Sequence, residues 1–179
     1  MERYEVRLAD GRTCCVRPAR DDDARRVFEL IGDMEGRRFA PGPALERWSA
    51  QRRDDRYACL VACADDEVIG VVNVRCEEQL HHVRPVAEIM ELAVDGAWRG
   101  LGAGSGLFGA ACRLARQRGC ELIEVHSKTE RARAHRFYRR QGMARTHVHL
   151  TLPLDRADAE MPAGGTAMAG ADGEDGNHG

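Results

Sequence analysis

The chain predicts an α/β (α+β) fold around a single mixed sheet, and three observations carry that expectation. Short runs rich in β-branched residues crowd the first half, and strand–helix–strand alternation fills the second. A glycine-rich run from Arg99 to Gly106 separates a strand signal from a helix signal near the middle of the chain. A length of 179 residues suits one main domain. Hydrophobic residues at 43% supply a core, and charged residues at 31% supply a solvated surface.

Taken in order, Tyr4–Ala9 and Arg12–Pro18 flank an Asp10-Gly11 turn and read as a hairpin. Asp21 or Asp22 is placed to cap a helix running to Met34, with Val27, Leu30 and Ile31 at core spacing. A short helix follows Pro43 through Leu45 and Trp48. The acidic turn Asp65-Asp66-Glu67 joins strands over Tyr57–Ala64 and Val68–Glu77, and Ala87–Val94 is a third strand. A helix is expected from Ser105 to Arg118, a strand over Leu122–Ser127, a helix over Ala132–Gln141 and a last strand over Ala144–Leu152. Residues 155–179 are rich in Gly, Ala and acids with no apolar period, so the domain is expected to span 1–154 and the tail to be disordered.

Charge and cysteine content exclude several classes of function. The tail carries six acids and one base, a balance of −5, so a formal net charge of −2 leaves +3 on the first 154 residues. That excess is far too small for nucleic acid but suits an anionic small molecule. No apolar run approaches the roughly 20 residues that cross a bilayer. The first residues lack a secretory layout, so a cytoplasmic protein is expected. None of the seven cysteines forms a C-x-x-C pair, which argues for reduced core thiols over a metal cage, and no metal ligand is assigned. Assembly is not written in any pattern; a homodimer is the form that general frequencies favour.

The stretch from Ala87 to Phe108 carries the chemistry. A strand leads into Arg99-Gly100-Leu101-Gly102-Ala103-Gly104 and then into a helix opening at Ser105. Glycines let the backbone approach a bulky anion, and free N–H groups at a helix start attract it. Arg99 adds a cation able to fork onto phosphate oxygens. The run lacks the Gly-Lys-Ser/Thr ending of a nucleotide P-loop, and its glycines alternate where a dinucleotide fold needs G-x-G-x-x-G. A pyrophosphate seat is the expected function.

Arg99, Gly102 and Gly104 fill the Arg/Gln-x-x-Gly-x-Gly/Ala signature, and Ala134-His135-Arg136-Phe137-Tyr138 with Gln141-Gly142-Met143 resembles a second conserved segment. On these two elements residues 12 to 152 resemble the GNAT (GCN5-related) N-acetyltransferase superfamily. The resemblance implies a GNAT fold: a mixed, mostly antiparallel sheet with a splayed central strand, flanked by about four helices. It implies acetyl-CoA as co-substrate, gripped by the backbone of Leu92, Ala93 and Val94 and by the run from Arg99 through Ser105. Arg131 stands where the family often has an asparagine that contacts the pantetheine arm.

Transfer to an amine needs a base, an oxyanion donor and an acid for the departing thiolate. The resemblance makes Glu88 the first candidate base, with Glu91 its competitor, and Tyr138 the candidate acid. Simple alternation sets Glu88 and Glu91 on opposite faces unless a β-bulge intervenes. Gln79-Leu80-His81-His82-Val83, with Glu88-Ile89, resembles aminoalkylphosphonate N-acetyltransferases within that superfamily. A small anionic primary amine is then the implied substrate, with His81, His82 and Arg84 facing its acidic group. The same branch implies that a divalent cation can accompany the substrate. The competing readings are a peptide or polyamine acetyltransferase, with Trp48, Arg52 and Arg53 lining a channel, and a non-catalytic CoA-binding module.

Overall fold

The computed structural model describes residues 3–154, so the acidic tail expected to be disordered lies outside the described residues. The chain divides into two units, residues 1–145 and 146–179. The first contains six strands in the order β1-β2-β3-β4-β5-β6. They are β1 (Tyr4–Arg7), β2 (Thr13–Pro18), β3 (Tyr57–Ala64), β4 (Glu67–Glu77), β5 (Val86–Val94) and β6 (Leu122–Val125). Every neighbouring pair is antiparallel except β5 and β6, which run parallel. Four α-helices complete the unit: α1 (Ala24–Glu35), α2 (Pro41–Arg52), α3 (Ala103–Gln117) and α4 (Ala132–Arg140).

Each face of the sheet buries a separate apolar cluster. Leu107, Ala111 and Leu114 of α3 pack on Val72, Val74, Ala87 and Ile89. On the other face, Val27 and Leu30 of α1 and Trp48 of α2 pack on Val61, Val71 and Ala93. Helix α3 lies tight against the hairpin: a Cβ at Gly106 would sit 2.7 Å from a Val6 methyl.

Two local expectations are corrected. A 3-10 turn over Asp21–Asp23 precedes α1, whose N-cap is Asp23 and not Asp21 or Asp22. Its carboxylate is taken by Arg17, at 2.6 and 2.9 Å, and by the N–H of Arg20. The strand expected over Ala144–Leu152 forms no ladder among the described residues. Alternation such as His147-Val148-His149-Leu150 supplies a β pattern, but a strand exists only through its ladder partners. In the second unit the described residues, 146–154, form neither helix nor strand, and Val148, Leu150, Leu152 and Leu154 are exposed.

Candidate active site

Strand β5 organises the site through two irregularities. Its ladder to β6 stops at Ile89 opposite Val125, so from Met90 to Val94 the edge facing away from β4 has no strand partner among the described residues. Those free peptide groups can grip an extended ligand. The second irregularity is a bulge: Val74 pairs Ile89 while its neighbour Asn73 pairs Glu91, which leaves Met90 as the extra residue. The strand therefore turns over. Ala87 and Ile89 enter the core under α3, whereas Ala93 enters the core under α1. Glu88 opposes Arg75 and Glu91 opposes Asn73, so both carboxylates stand on the α1–α2 face. Simple alternation is overridden here.

The two glutamates live in different surroundings. Both oxygens of Glu88 are engaged, one by Arg75 Nη2 at 2.8 Å and the other by His126 Nδ1 at 2.6 Å. Glu91 accepts from Asn73 Nδ2 at 2.9 Å and lines a cavity of about 290 Å³. Burial pushes its carboxyl above the ordinary range, and the negative charges of Glu35 and Glu88 add to the rise. The Asn73 hydrogen bond and the charge of Arg47 act in the opposite sense.

Helix α2 supplies one wall of this cavity. Arg47, Trp48 and Gln51 project from one side of it, and Gln51 Oε1 accepts from Asn73 Nδ2 at 3.0 Å. Phe28 and Ile31 of α1, with Tyr57 and Cys59 of β3, supply other walls. Arg47, Gln51 and Asn73 were not among the residues singled out from sequence. The legible signal was Asn73 itself, a lone amide inside the run Gly70-Val71-Val72-Asn73-Val74.

Beyond Val94 the chain forms a glycine loop and a helix start whose free N–H groups could seat an anion. Asp95 is held by Arg26 Nη2 at 2.7 Å and caps a 3-10 turn over Gly96–Trp98. Gly100 and Gly102 take φ of 80° and 108°, which a side chain resists. The N–H groups of Ala103, Gly104 and Ser105 open α3 without intrahelical acceptors. Arg99 Nε donates to Val94 O at 2.9 Å, and its guanidinium is exposed at the loop. Ala103 is fully buried and half-buried Leu101 packs on the core, so these residues can offer a ligand chiefly backbone.

Helix α4 lies beside this loop, since a Cβ at Gly104 would meet both the Phe137 ring and Val94 at 3.6 Å. Tyr138 neighbours Phe137 and Phe108, and burial raises its phenol to about 12. The Arg131 guanidinium is turned to the end of α1, at 2.8 Å from Glu35 Oε1 and 3.3 Å from Met34 O.

His81, His82 and Arg84 sit in the β4–β5 connection and do not line the cavity. The two imidazoles are 4.4 Å apart, and His82 is bonded to Glu121. Among the described residues no group of three or more His, Cys, Asp or Glu could hold a metal ion, so the residues present do not fit a cation site. No helix among the described residues is long and apolar enough to cross a membrane.

A sheet opened along β5, a glycine loop and free helix start at that strand's end and a carboxylate-lined cavity on one face suit a transferase that draws acyl groups from coenzyme A. Residues 17–143 match the acetyltransferase (GNAT) family. The chain belongs to that family and is an acetyl-CoA-dependent N-acetyltransferase. An aminoalkylphosphonate N-acetyltransferase from Salmonella typhimurium is 32% identical over 141 residues, covering 79% of this chain and 92% of the relative. A transcriptional regulator from Bacillus halodurans superposes with a TM-score of 0.73 at 26% identity, covering 78% of this chain and 98% of that one. An aminoglycoside acetyltransferase from a soil metagenome, solved with sisomicin, shares the fold with a TM-score of 0.70 at 20% identity, covering 79% of this chain and 97% of its own.

Proposed function

We propose that this enzyme moves the acetyl group of acetyl-CoA to the primary amine of a small anionic, aminoalkylphosphonate-like substrate, by direct attack in a ternary complex. The observation that carries the reading is the cavity of about 290 Å³ that opens on Glu91, near the small end of ligand pockets. A peptide would need an open groove, whereas Gln51 and Asn73 tie α2 across this part of the sheet. The relative from Salmonella supports the substrate class.

In this reading Glu91 takes the proton from the attacking amine. It lines the cavity and its raised pKa brings it nearer the working range of a base. Glu88, already held by Arg75 and His126, supports the charge balance of the site and is the second candidate. The N–H of Leu92, on the unpartnered stretch of β5, is the donor to the thioester carbonyl oxygen, with Ala93 and Val94 continuing the grip. The run from Arg99 to Ser105 holds the pyrophosphate. Tyr138, protonated at neutral pH, donates to the departing sulfur. The seven unpaired cysteines support a reducing compartment such as the cytoplasm.

The test is free-thiol release from acetyl-CoA with a panel of aminoalkylphosphonates, neutral amines, polyamines and peptides. Turnover that favours the phosphonates is expected. Turnover confined to peptides or polyamines would remove the substrate claim.

A further inference from the structure

We infer that one wall of the cavity reads both ends of the acceptor: Asn73 Oδ1 takes an N–H of its amine, and Trp48 Nε1 with Arg47 takes an acidic group on the same molecule. The inference rests on the cavity being the acceptor site, as proposed above, and adds the residues that select the acceptor.

Asn73 is one of two buried polar or charged residues among the described residues, and the other, Asp23, is satisfied by Arg17 and Arg20. The orientation of the Asn73 amide follows from its partners. An ionised Glu91 only accepts hydrogen bonds, so Asn73 must turn its NH2 toward Glu91 Oε2 and Gln51 Oε1. That uses both of its donors and leaves Oδ1 buried with no donor among the described residues. An amine approaching Glu91 brings the missing N–H.

The second orphan has the opposite character. Trp48 Nε1 is donor-only and buried, and it has no acceptor among the described residues. Trp48 lies on α2 three residues before Gln51, and its ring is wedged between Phe28, at 6.4 Å, and the Arg52 guanidinium, at 5.7 Å. The indole is thus held in place while its N–H waits for an oxygen.

Of the three arginines that line the cavity, two are already engaged. Arg52 binds Asp21 and Ala19 O, and Arg118 binds Arg56 O and Tyr57 O. Arg47 makes no hydrogen bond or ion pair among the described residues. An acceptor, a donor and a cation without a hydrogen bond or ion pair, in one small cavity, complement an amine tethered to an acid. A neutral amine would leave the indole N–H and the guanidinium unused.

The experiment compares 2-aminoethylphosphonate, β-alanine and n-propylamine as acceptors for the full chain, with acetyl-CoA saturating. Trp48→Phe keeps the ring and removes the N–H; Arg47→Gln removes the charge of an exposed residue. Each is expected to raise the KM of the acid-bearing amines relative to that of propylamine by about five- to tenfold. Asn73→Ala is expected to raise the KM of all three together, leaving that ratio unmoved. The arms also separate a phosphonate from a carboxylate as the acid preferred.

If neither Trp48→Phe nor Arg47→Gln changes the ratio, the inference is overturned. If the wild-type enzyme acetylates all three amines equally, the inference fails together with the anionic-substrate reading, and only acetyl transfer to a small amine stands. No turnover of any small amine by wild type would instead remove the underlying function and this inference with it. Should Trp48→Phe not fold, Arg47→Gln decides the matter.

Discussion

Asn73 on β4 lies directly opposite Glu91 on β5, and its Nδ2 donates to Glu91 Oε2 at 2.9 Å. That cross-strand pair exists because the bulge at Met90 turns Glu91 onto the face covered by α2. It places a desolvated carboxylate at the floor of the cavity and next to the unpartnered stretch of β5.

Replacing Glu91 with Gln is expected to lower kcat/KM for the amine by about 10²-fold or more, the usual contribution of a positioned base. Titration calorimetry with CoA should show its affinity nearly unchanged, because the loop proposed to hold the pyrophosphate lies beyond Val94.

The pH profile should carry the same carboxyl. A base must be ionised, so kcat/KM is expected to rise with pH along a limb set by a group above the ordinary carboxylate range. The negative charge of Glu88 contributes to that elevation. Glu88→Gln should therefore move the limb to lower pH, which a rate profile from pH 4 to 9 would reveal.

Stability should respond in the opposite direction to activity. With its pKa raised in the folded state, Glu91 binds more protons folded than unfolded over the window between the two values. Stability attributable to it is lost as pH rises through that window. Thermal melts from pH 4 to 8 should find Glu91→Gln gaining on wild type as pH increases.

Tyr138→Phe is expected to reduce kcat by about 10²-fold while the KM for acetyl-CoA stays within a small factor. With the phenol pushed up to about 12, wild type should show no alkaline fall from this group below pH 10. A fall near pH 9 that vanished in the Phe variant would contradict the burial of Tyr138.

Arg99→Glu replaces the exposed guanidinium of the loop with a charge that repels phosphates. CoA is expected to bind at least about tenfold more weakly by calorimetry. An unaltered affinity would remove the pyrophosphate from this loop.

Much of the architecture was legible because it is written between neighbours in the chain. The Asp10-Gly11 turn, the apolar spacing of α1 and α3, and the strand-to-helix glycines each follow from local dihedral freedom and periodicity. The motif from Arg99 to Ser105 belongs to this class, since one short segment holds both its glycines and its helix start.

Other features belong to the tertiary structure alone. Nothing in Ala87–Val94 announces that Met90 is the extra residue, because a bulge is a relation between two strands. The same holds for Gln51, Asn73 and Glu91, which come from α2, β4 and β5 and meet only after the sheet is paired. The strand pattern of 144–152 fails for the mirror-image reason: alternation offers a face, but only a partner makes a ladder. The sequence by itself determined most of the elements, the family and the glycine loop that opens α3; packing decided which carboxylate faces the cavity, because register sets the face of every residue along a strand.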